Sequence, residues 1–262
     1  MWSHIVTFFS GAAALGLAQL FVPTVTAEVL RRFQAKLAAD RVVALQLDPL
    51  LKAADELQGK LLSLAKEDFS EFRRGNAPDS TGEHVVNLCS TLYLFAQFWA
   101  RLEILRLASV HAELVRNPRG AEMLRFVRSL ESSKIRLVDR AWQRAIGESL
   151  IVDRQSLMDV RQFREFVQEY ESSAGLRRWF EPLTNMLTRS HDKKVRQRLL
   201  CYGVVVHAMI DTLDPKHHTT KPRPGYANKL SRRSRHDLIG RVFGVYLPNV
   251  RGIAKYAVVV RR

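Results

Sequence analysis

Motifs of known catalytic chemistry are missing from this 262-residue sequence. It contains no GxxxxGK[ST] phosphate loop, no GxSxG, no HExxH and no GxGxxG. Cysteine is also scarce, because Cys89 and Cys201 are far apart and have no CxxC or Cys/His spacing. These absences predict a protein that is not an enzyme, that has no cofactor, and that buries its thiols in a reduced, cytosolic setting.

Acidic residues are nearly absent from the last part of the chain. Residues 216–262 contain twelve Lys or Arg and a single acid, Asp237, so this tail carries +11 of the formal net charge of +15. The preceding residues are therefore close to neutral as a group. We expect any polyanionic partner to bind at the tail.

Ionisable side chains are also missing from residues 5–27, an uncharged stretch of 23 residues. At about 1.5 Å per residue, a helix of this length crosses a hydrocarbon core of about 30 Å. Arg31, Arg32, Lys36 and Arg41 follow at once, and the positive-inside rule places such a flank in the cytoplasm. The segment predicts a membrane anchor, with lipid as its partner.

Two other interpretations of residues 5–27 stay open. Val25-Thr26-Ala27 is a small-residue pattern typical of signal-peptide cleavage, although the N-terminal MWSH lacks Lys and Arg. Alternatively, the segment is a buried or oligomer-forming helix. Membrane fractionation of the full-length protein distinguishes these interpretations.

Apolar residues recur every three or four positions through most of the body, as is typical of amphipathic helices. Asp48-Pro49 predicts the end of one helix and the start of a second that runs to about Arg74. GNAPDSTG, at 75–82, predicts a loop. The most apolar helix, 83–116, predicts the centre of the core, and Asn117-Pro118 ends it.

The second half of the body continues this pattern. A short helix follows Pro118, and KIRLVDR at 134–140 predicts a short strand or an extended connector. AWQRAIGESLIV predicts a helix, and three more are expected at 156–172, 176–190 and 192–213. We therefore expect an all-α fold, with an N-terminal transmembrane helix, a bundle of six or seven helices with almost no sheet, and a basic C-terminal tail. The expected domains are an anchor with its flank at 1–30, the helical bundle at 31–215, and the tail at 216–262.

Several stretches of the body resemble a known family: DPLLKAADELQGKLL, STLYLFAQFWARLEILR, QRAIGESLIV, RRWFEPL and VVVHAMIDTLDP. They are similar to a bacterial family of N-terminally anchored helical proteins that has no assigned activity. The resemblance covers about residues 48–215 and implies a helical body and a bacterial source, but no substrate, cofactor or catalytic residue. With the anchor, it predicts a single-pass inner-membrane protein whose bulk is cytoplasmic.

The densest set of polar side chains surrounds the end of the last body helix: His207, Asp211, Asp214, His217 and His218. His207 and Asp211 are four residues apart and so share a helical face. A metal site needs three or four such ligands, and the sequence has no recognised zinc spacing. A metal-dependent enzyme near these two residues is the third functional hypothesis, and a solvated helix-end cluster is its alternative.

We expect the residues that contact a partner to lie in the tail. Its first part, 216–237, is expected to be largely unstructured when free, and 237–247 to form a short helix or an interfacial segment. Three interpretations compete: contact with anionic lipid, binding of nucleic acid, or packing on the bundle with the bases as a solvated rim. The residues expected to contact lipid or nucleic acid are Lys229, Arg232, Arg233, Arg235, Arg241, Phe243 and Tyr246.

The leading hypothesis is a membrane-anchored helical scaffold or adaptor on the cytoplasmic face, whose tail contacts anionic lipid or an acidic partner. The alternative is a nucleic-acid-binding module that acts through residues 216–262. The sequence leaves the oligomeric state open.

Overall fold

The computed structural model describes residues 3–72, 82–154, 157–226 and 229–257, and describes side chains from residue 28 onward except at 82–85, 111 and 257. Within these residues, seven helices of ten or more residues form a bundle, which confirms the predicted mostly helical fold. They are α1 Ser3–Lys66, α2 Gly82–His111, α3 Pro118–Leu130, α4 Arg140–Ser149, α5 Phe163–Ser172, α6 Ala174–Thr188 and α7 Lys193–Leu213. Short 3-10 turns lie at Ser70–Phe72, Leu114–Arg116 and Arg189–His191.

Helix α2 lies at the centre of the core, as its apolar sequence predicted, and packs against α1 and α4. Trp99 is fully buried there, and its Nε1 donates a 2.8 Å hydrogen bond to the hydroxyl of Tyr202 on α7. Gly147 of α4 lies so close to α2 that an added Cβ would be 2.9 Å from the carbonyl of Trp99. A glycine is thus required at this helix crossing.

Helix α1 does not break at Asp48-Pro49, so the predicted boundary there is wrong. Proline inside a helix removes one backbone hydrogen bond and costs about 3 kcal/mol. Leu47 on one side of Pro49 and Leu50 and Leu51 on the other are all buried in the core. Because the same face packs on the bundle on both sides of the proline, burial keeps the helix continuous. It ends at Lys66, before the predicted Arg74.

A β-hairpin occupies residues for which helices were predicted. Strand β1, Ile151–Arg154, pairs antiparallel with β2, Leu157–Val160, with Ile151 opposite Val160. The predicted helix at AWQRAIGESLIV therefore ends at Ser149, and the helix predicted from 156 begins only at Phe163. KIRLVDR is a connector with a turn and bends and contains no strand, and its last residue, Arg140, begins α4.

The tail is folded onto the bundle, so the predicted lack of structure at 216–237 is wrong for its described residues. Tyr226 is 1% exposed, and Leu230 and Leu238 are buried as well. After Ser231 the chain forms α8, Arg232–Asp237, which continues through a π-helical segment, Leu238–Phe243, to a turn at Gly244–Tyr246. A last helical turn covers Ala254–Ala257.

The tail follows α1 towards its C-terminal end. Thr219 is bonded to Asp48, Arg223 to Asp55, and Lys229 to Asp68. Helix α7 is antiparallel to α1, because the turn before α7 packs on the turn after α1, while Leu213 faces Leu47 across a cavity. The start of α7 and the start of α8 therefore lie together at the end of the bundle that is farthest from residue 28.

Some predictions fall outside the description. Residues 75–81 of the predicted loop are not described, and neither are the side chains of the predicted anchor, 5–27, whose backbone continues α1. Over the residues that are described, none of the helices combines the length and the apolar character that a membrane crossing requires. The anchor stays a prediction.

Candidate functional site

The contact residues predicted in the tail occupy three different environments. Arg232, Arg233 and Arg241 are exposed, and Arg235 is half-buried. Lys229 is half-buried in an ion pair of 3.2 Å with Asp68. Phe243 is fully buried and Tyr246 half-buried, so Phe243 presents no surface to a lipid or a base while the tail is docked. A contact role of Phe243 therefore requires the tail to detach.

Helix α8 is held on α7 by one glutamine. Gln197 donates from Nε2 to the carbonyl of Lys229 at 3.0 Å and accepts from the amide of Ser231 at 2.7 Å. The Ser231 hydroxyl oxygen in turn caps α8 by accepting the amide of Ser234 at 3.1 Å. Ser234 of α8 interacts with Cys201, which lies one turn after Gln197 on the same face of α7.

Several bases of α7 lie within about one helical turn of Gln197, the residue that contacts the start of α8. Lys193 precedes Gln197 by one turn on the same face, and Lys194 and Arg198 lie beside that face. Arg232, Arg233 and Arg235 are contributed by α8. We call these six residues the distal basic face: Lys193, Lys194, Arg198, Arg232, Arg233 and Arg235. The sequence analysis identified only the α8 half, because the α7 bases are 34 or more positions away along the chain.

The distal basic face has little internal neutralisation. Its single ion pair with a described residue is a wide one, 3.9 Å between Arg233 and Asp237, and Arg233 is 93% exposed. Asp237 also faces Arg241 at 3.4 Å. Like charges on a surface repel each other, and a polyanion relieves that repulsion when it binds. The face therefore presents mostly uncompensated positive charge to solvent.

The polar cluster singled out in the sequence is partly assembled around Asp211. Lys255 Nζ lies 2.6 Å and Tyr256 Oη 2.7 Å from Asp211 Oδ2, and both donate to it. His207 Nε2 and His217 Nε2 each lie 3.5 Å from the same carboxylate. The ring of Tyr256 also contacts that of His207 edge-on, with centroids 5.3 Å apart. His207 and Asp211 lie together as their spacing predicted, whereas no pattern in the sequence indicated Lys255 and Tyr256.

The charges in this cluster are set by burial and by the tail. Burial raises the pKa of Asp211, but the hydrogen bonds from Lys255 and Tyr256 outweigh it, so the pKa lies below its ordinary value. Burial lowers the pKa of His207 more than Asp211 raises it, because Lys255 already compensates that carboxylate. His207 is 2% exposed and has no hydrogen bond at either ring nitrogen. The histidine is thus kept neutral.

Asp214 and His218 belong to a separate turn. Asp214 accepts the amides of His218, Thr219 and Thr220 at 2.9 to 3.0 Å. Burial acts to raise the pKa of Asp214, but these hydrogen bonds prevail and lower it to about 2. The adjoining cavity of ≈ 360 Å³ is lined by Asp214 and His218 and not by His207 or Asp211. The turn is a helix-end cap.

Neither cluster forms a metal centre in the described part of the chain, where no three His, Cys, Asp or Glu side chains come together as ligands. The Asp211 cluster instead fastens the C-terminal turn to α7. In this cluster, one carboxylate accepts hydrogen bonds from a lysine ammonium and a tyrosine hydroxyl.

Comparisons with known proteins give no relative for this chain. No protein-family model matches it, and no curated protein or solved structure matches it significantly. The resemblance to a bacterial family of anchored helical proteins therefore stays a prediction, and the function has to be argued from the chain itself.

Proposed function

We propose that the chain is a helical adaptor that is attached to a membrane through residues 5–27 and binds an acidic partner through its distal basic face. The observation that carries the proposal is the grouping of six bases, of which five make no ion pair with a described residue. The lack of catalytic motifs agrees with a binding role rather than a catalytic one. The attachment rests on the uncharged stretch and on the bases that follow it.

The length of α1 argues for an acidic partner over anionic lipid. From Glu28 to Lys66, α1 extends about 57 Å at ~1.5 Å per residue. The distal basic face lies at the Lys66 end, so even a tilt of about 40° keeps it more than ~40 Å from the leaflet. Charges in physiological salt are screened within about 8 Å. A continuous α1 that leaves the membrane at residue 27 thus points this face away from the lipid.

The positions of the aromatic rings argue against single-stranded nucleic acid. Binding of a single strand uses aromatic side chains on which bases stack, each worth about 1–3 kcal/mol. Of the aromatic residues of the tail, Tyr226, Phe243 and Tyr256 are buried, and Tyr246 is half-buried. Duplex binding needs only phosphate contacts and gives a steep salt dependence. Of the nucleic-acid alternatives, duplex binding therefore remains, and the binding experiment includes a duplex probe.

The binding half of the proposal is tested with purified full-length protein in neutral detergent. Polyglutamate and a mixed-sequence DNA duplex serve as probes, at about 50 and 200 mM salt. We expect polyglutamate to bind at the lower salt and the variant Lys194→Glu/Arg232→Glu/Arg235→Glu to lose at least tenfold in affinity. The control, Arg164→Glu/Arg178→Glu, reverses two exposed bases of α5 and α6 and should bind normally. Duplex binding tighter than polyglutamate binding would establish the nucleic-acid alternative, and absence of binding to both probes refutes the binding role.

The attachment half is tested separately in cells. The full-length protein should pellet with the inner membrane and resist carbonate, and deletion of residues 1–27 should release it. A tag at the C-terminus should be protected from protease added to sealed cells, since the bulk is expected in the cytoplasm. A full-length protein that remains in the soluble fraction refutes the anchor without affecting the binding result.

A further inference from the structure

An exposed apolar face lies on α1 just after the predicted anchor. Val29 is 61% exposed, Leu30 55%, Phe33 58% and Leu37 52%. They recur at helical spacing, so they form one stripe, which we call the α1 stripe. Farther along the same helix, Ala39, Val43 and Leu47 are buried against the bundle. The stripe thus begins where the bundle stops covering α1.

The neighbouring end of the bundle is apolar on its surface as well. Val110, near the end of α2, is 70% exposed, and Val115, in the turn that packs on α1, is 62% exposed. Asn117 fixes this turn to α1 by donating from Nδ2 to Asp40 Oδ1 at 2.7 Å. Six exposed large apolar side chains therefore gather at the end of the bundle from which α1 emerges.

The charges around these side chains are mostly basic. Lys36, Arg41 and Arg119 are exposed and make no ion pair with a described residue. Arg31 and Arg32 share one carboxylate, Glu28, at 2.9 and 2.7 Å. A stripe of apolar side chains with an aromatic ring, bordered by Lys and Arg, is the composition of a surface that lies in the interface of an anionic bilayer. Bases near such a surface are attracted to its anionic headgroups.

We propose that the part of the α1 stripe next to the membrane, from Val29 to Phe33, rests in the headgroup layer of an anionic leaflet. The proposal depends on the proposed attachment through residues 5–27. Phe33 then lies about 9 Å along the helix from residue 27, within reach of the headgroups, whereas Leu45 lies about 27 Å away. The lipid contact of this protein is thereby assigned to the end opposite the distal basic face.

The experiment uses full-length protein reconstituted in vesicles of zwitterionic lipid with 30% phosphatidylglycerol. The variants Phe33→Cys and Leu45→Cys are each labelled with an environment-sensitive fluorophore, and the native cysteines, both buried, react poorly. Leu45 is the matched control, because it is 59% exposed on the same helix. We expect lipids with a headgroup quencher to quench the Phe33 label at least threefold more than the Leu45 label. Removal of the anionic lipid should reduce that difference.

Equal quenching of the two labels in protein that floats with the vesicles refutes the proposal and leaves the attachment intact. Protection of the Phe33 label that depends on protein concentration and not on lipid charge also refutes it, and identifies a second copy of the chain as the occupant of the stripe. Protein that does not float with the vesicles refutes the attachment and this inference together, while the binding role of the distal basic face is tested independently.

Discussion

The ring of Tyr226 lies against Gly203, where an added Cβ would be 3.1 Å from the tyrosine oxygen. The Tyr226 hydroxyl also donates a 3.3 Å hydrogen bond to the carbonyl of Gln58 on α1. Next to it, the guanidinium of Arg223 lies where a side chain on Gly59 would be, and donates to both carboxylate oxygens of Asp55. The tail thus fills a groove between α1 and α7. Two glycines, Gly59 and Gly203, leave room in this groove for the side chains of Arg223 and Tyr226.

We expect Tyr226→Ala to lower the free energy of unfolding by about 3–5 kcal/mol, because it empties a fully buried aromatic site. Urea denaturation of the full-length protein in detergent measures the change. Tyr226→Phe keeps the ring and removes one weak hydrogen bond, so it should cost only about 1 kcal/mol. A neutral Tyr226→Ala would mean that the tail is not docked in solution.

Gly147→Ala should destabilise the bundle even though alanine favours helix by about 1 kcal/mol over glycine. The added methyl group would be 2.9 Å from the backbone of Trp99, and overpacking of this kind costs about 1–3 kcal/mol. Gly240→Ala is the matched control, because an added Cβ meets no atom within 4 Å there. Thermal unfolding should show a lower Tm for the first variant only.

Stability should fall as the pH drops below about 6.5, through His207. Burial depresses the pKa of His207 in the folded protein, so between that pKa and the ordinary value of 6.5 the unfolded chain binds a proton that the folded chain does not. Each such proton changes the free energy of unfolding by about 1.4 kcal/mol per pH unit. The pKa of Asp211 in the folded protein is also depressed, so protonation of this carboxylate lowers the stability further only below about pH 4.

His207→Gln should flatten this slope between pH 6.5 and 5, as measured by urea denaturation at a series of pH values. His236→Gln changes an exposed histidine of α8 and should leave the slope as it is. A slope that survives His207→Gln would assign the proton uptake to another group.

Asp211→Asn should release the last helical turn, because the amide cannot compensate Lys255 and offers only one acceptor oxygen. Trypsin should then cut after Arg251 and Lys255 several times faster than in the unaltered protein. Asp153→Asn, on the distant hairpin, is the control and should leave the rate unchanged. Equal rates in the Asp211 variant would mean that packing of Tyr256 against Phe243 alone holds the turn.

Helix ends with local signals were predictable from the sequence. Asn117 caps α3, with Pro118 as its first residue, and Asp192 caps α7. These residues act through the hydrogen bonds of their own turn, so a short stretch of sequence contains the whole cause. The start of α3 is where the sequence placed it, and that of α7 differs by one residue.

The hairpin and the tail could not be predicted in the same way. Each strand of the hairpin has four residues, and the sequence between them, Gln155-Ser156, lacks the glycine or asparagine that usually signals a hairpin. The first part of the tail, 216–237, has few aliphatic residues, yet it folds because Tyr226 and Arg223 fit glycines on two helices that are far apart in the sequence. That fit is visible only once α1 and α7 are side by side. The α7 bases of the distal basic face could not be predicted from the sequence for the same reason.

The docking of the tail also sets an order of events during synthesis. Tyr226 and its partner Gln58 are separated by 168 residues, which at 5–20 residues per second means a delay of roughly 8–34 s on the ribosome. The groove exists only once α7 has been made, and from then until the tail follows it stays open to water. In a protein truncated after residue 215, that temporary state becomes permanent. The truncated protein would be a bundle whose groove between α1 and α7 stays exposed. We expect it to associate with other copies of itself.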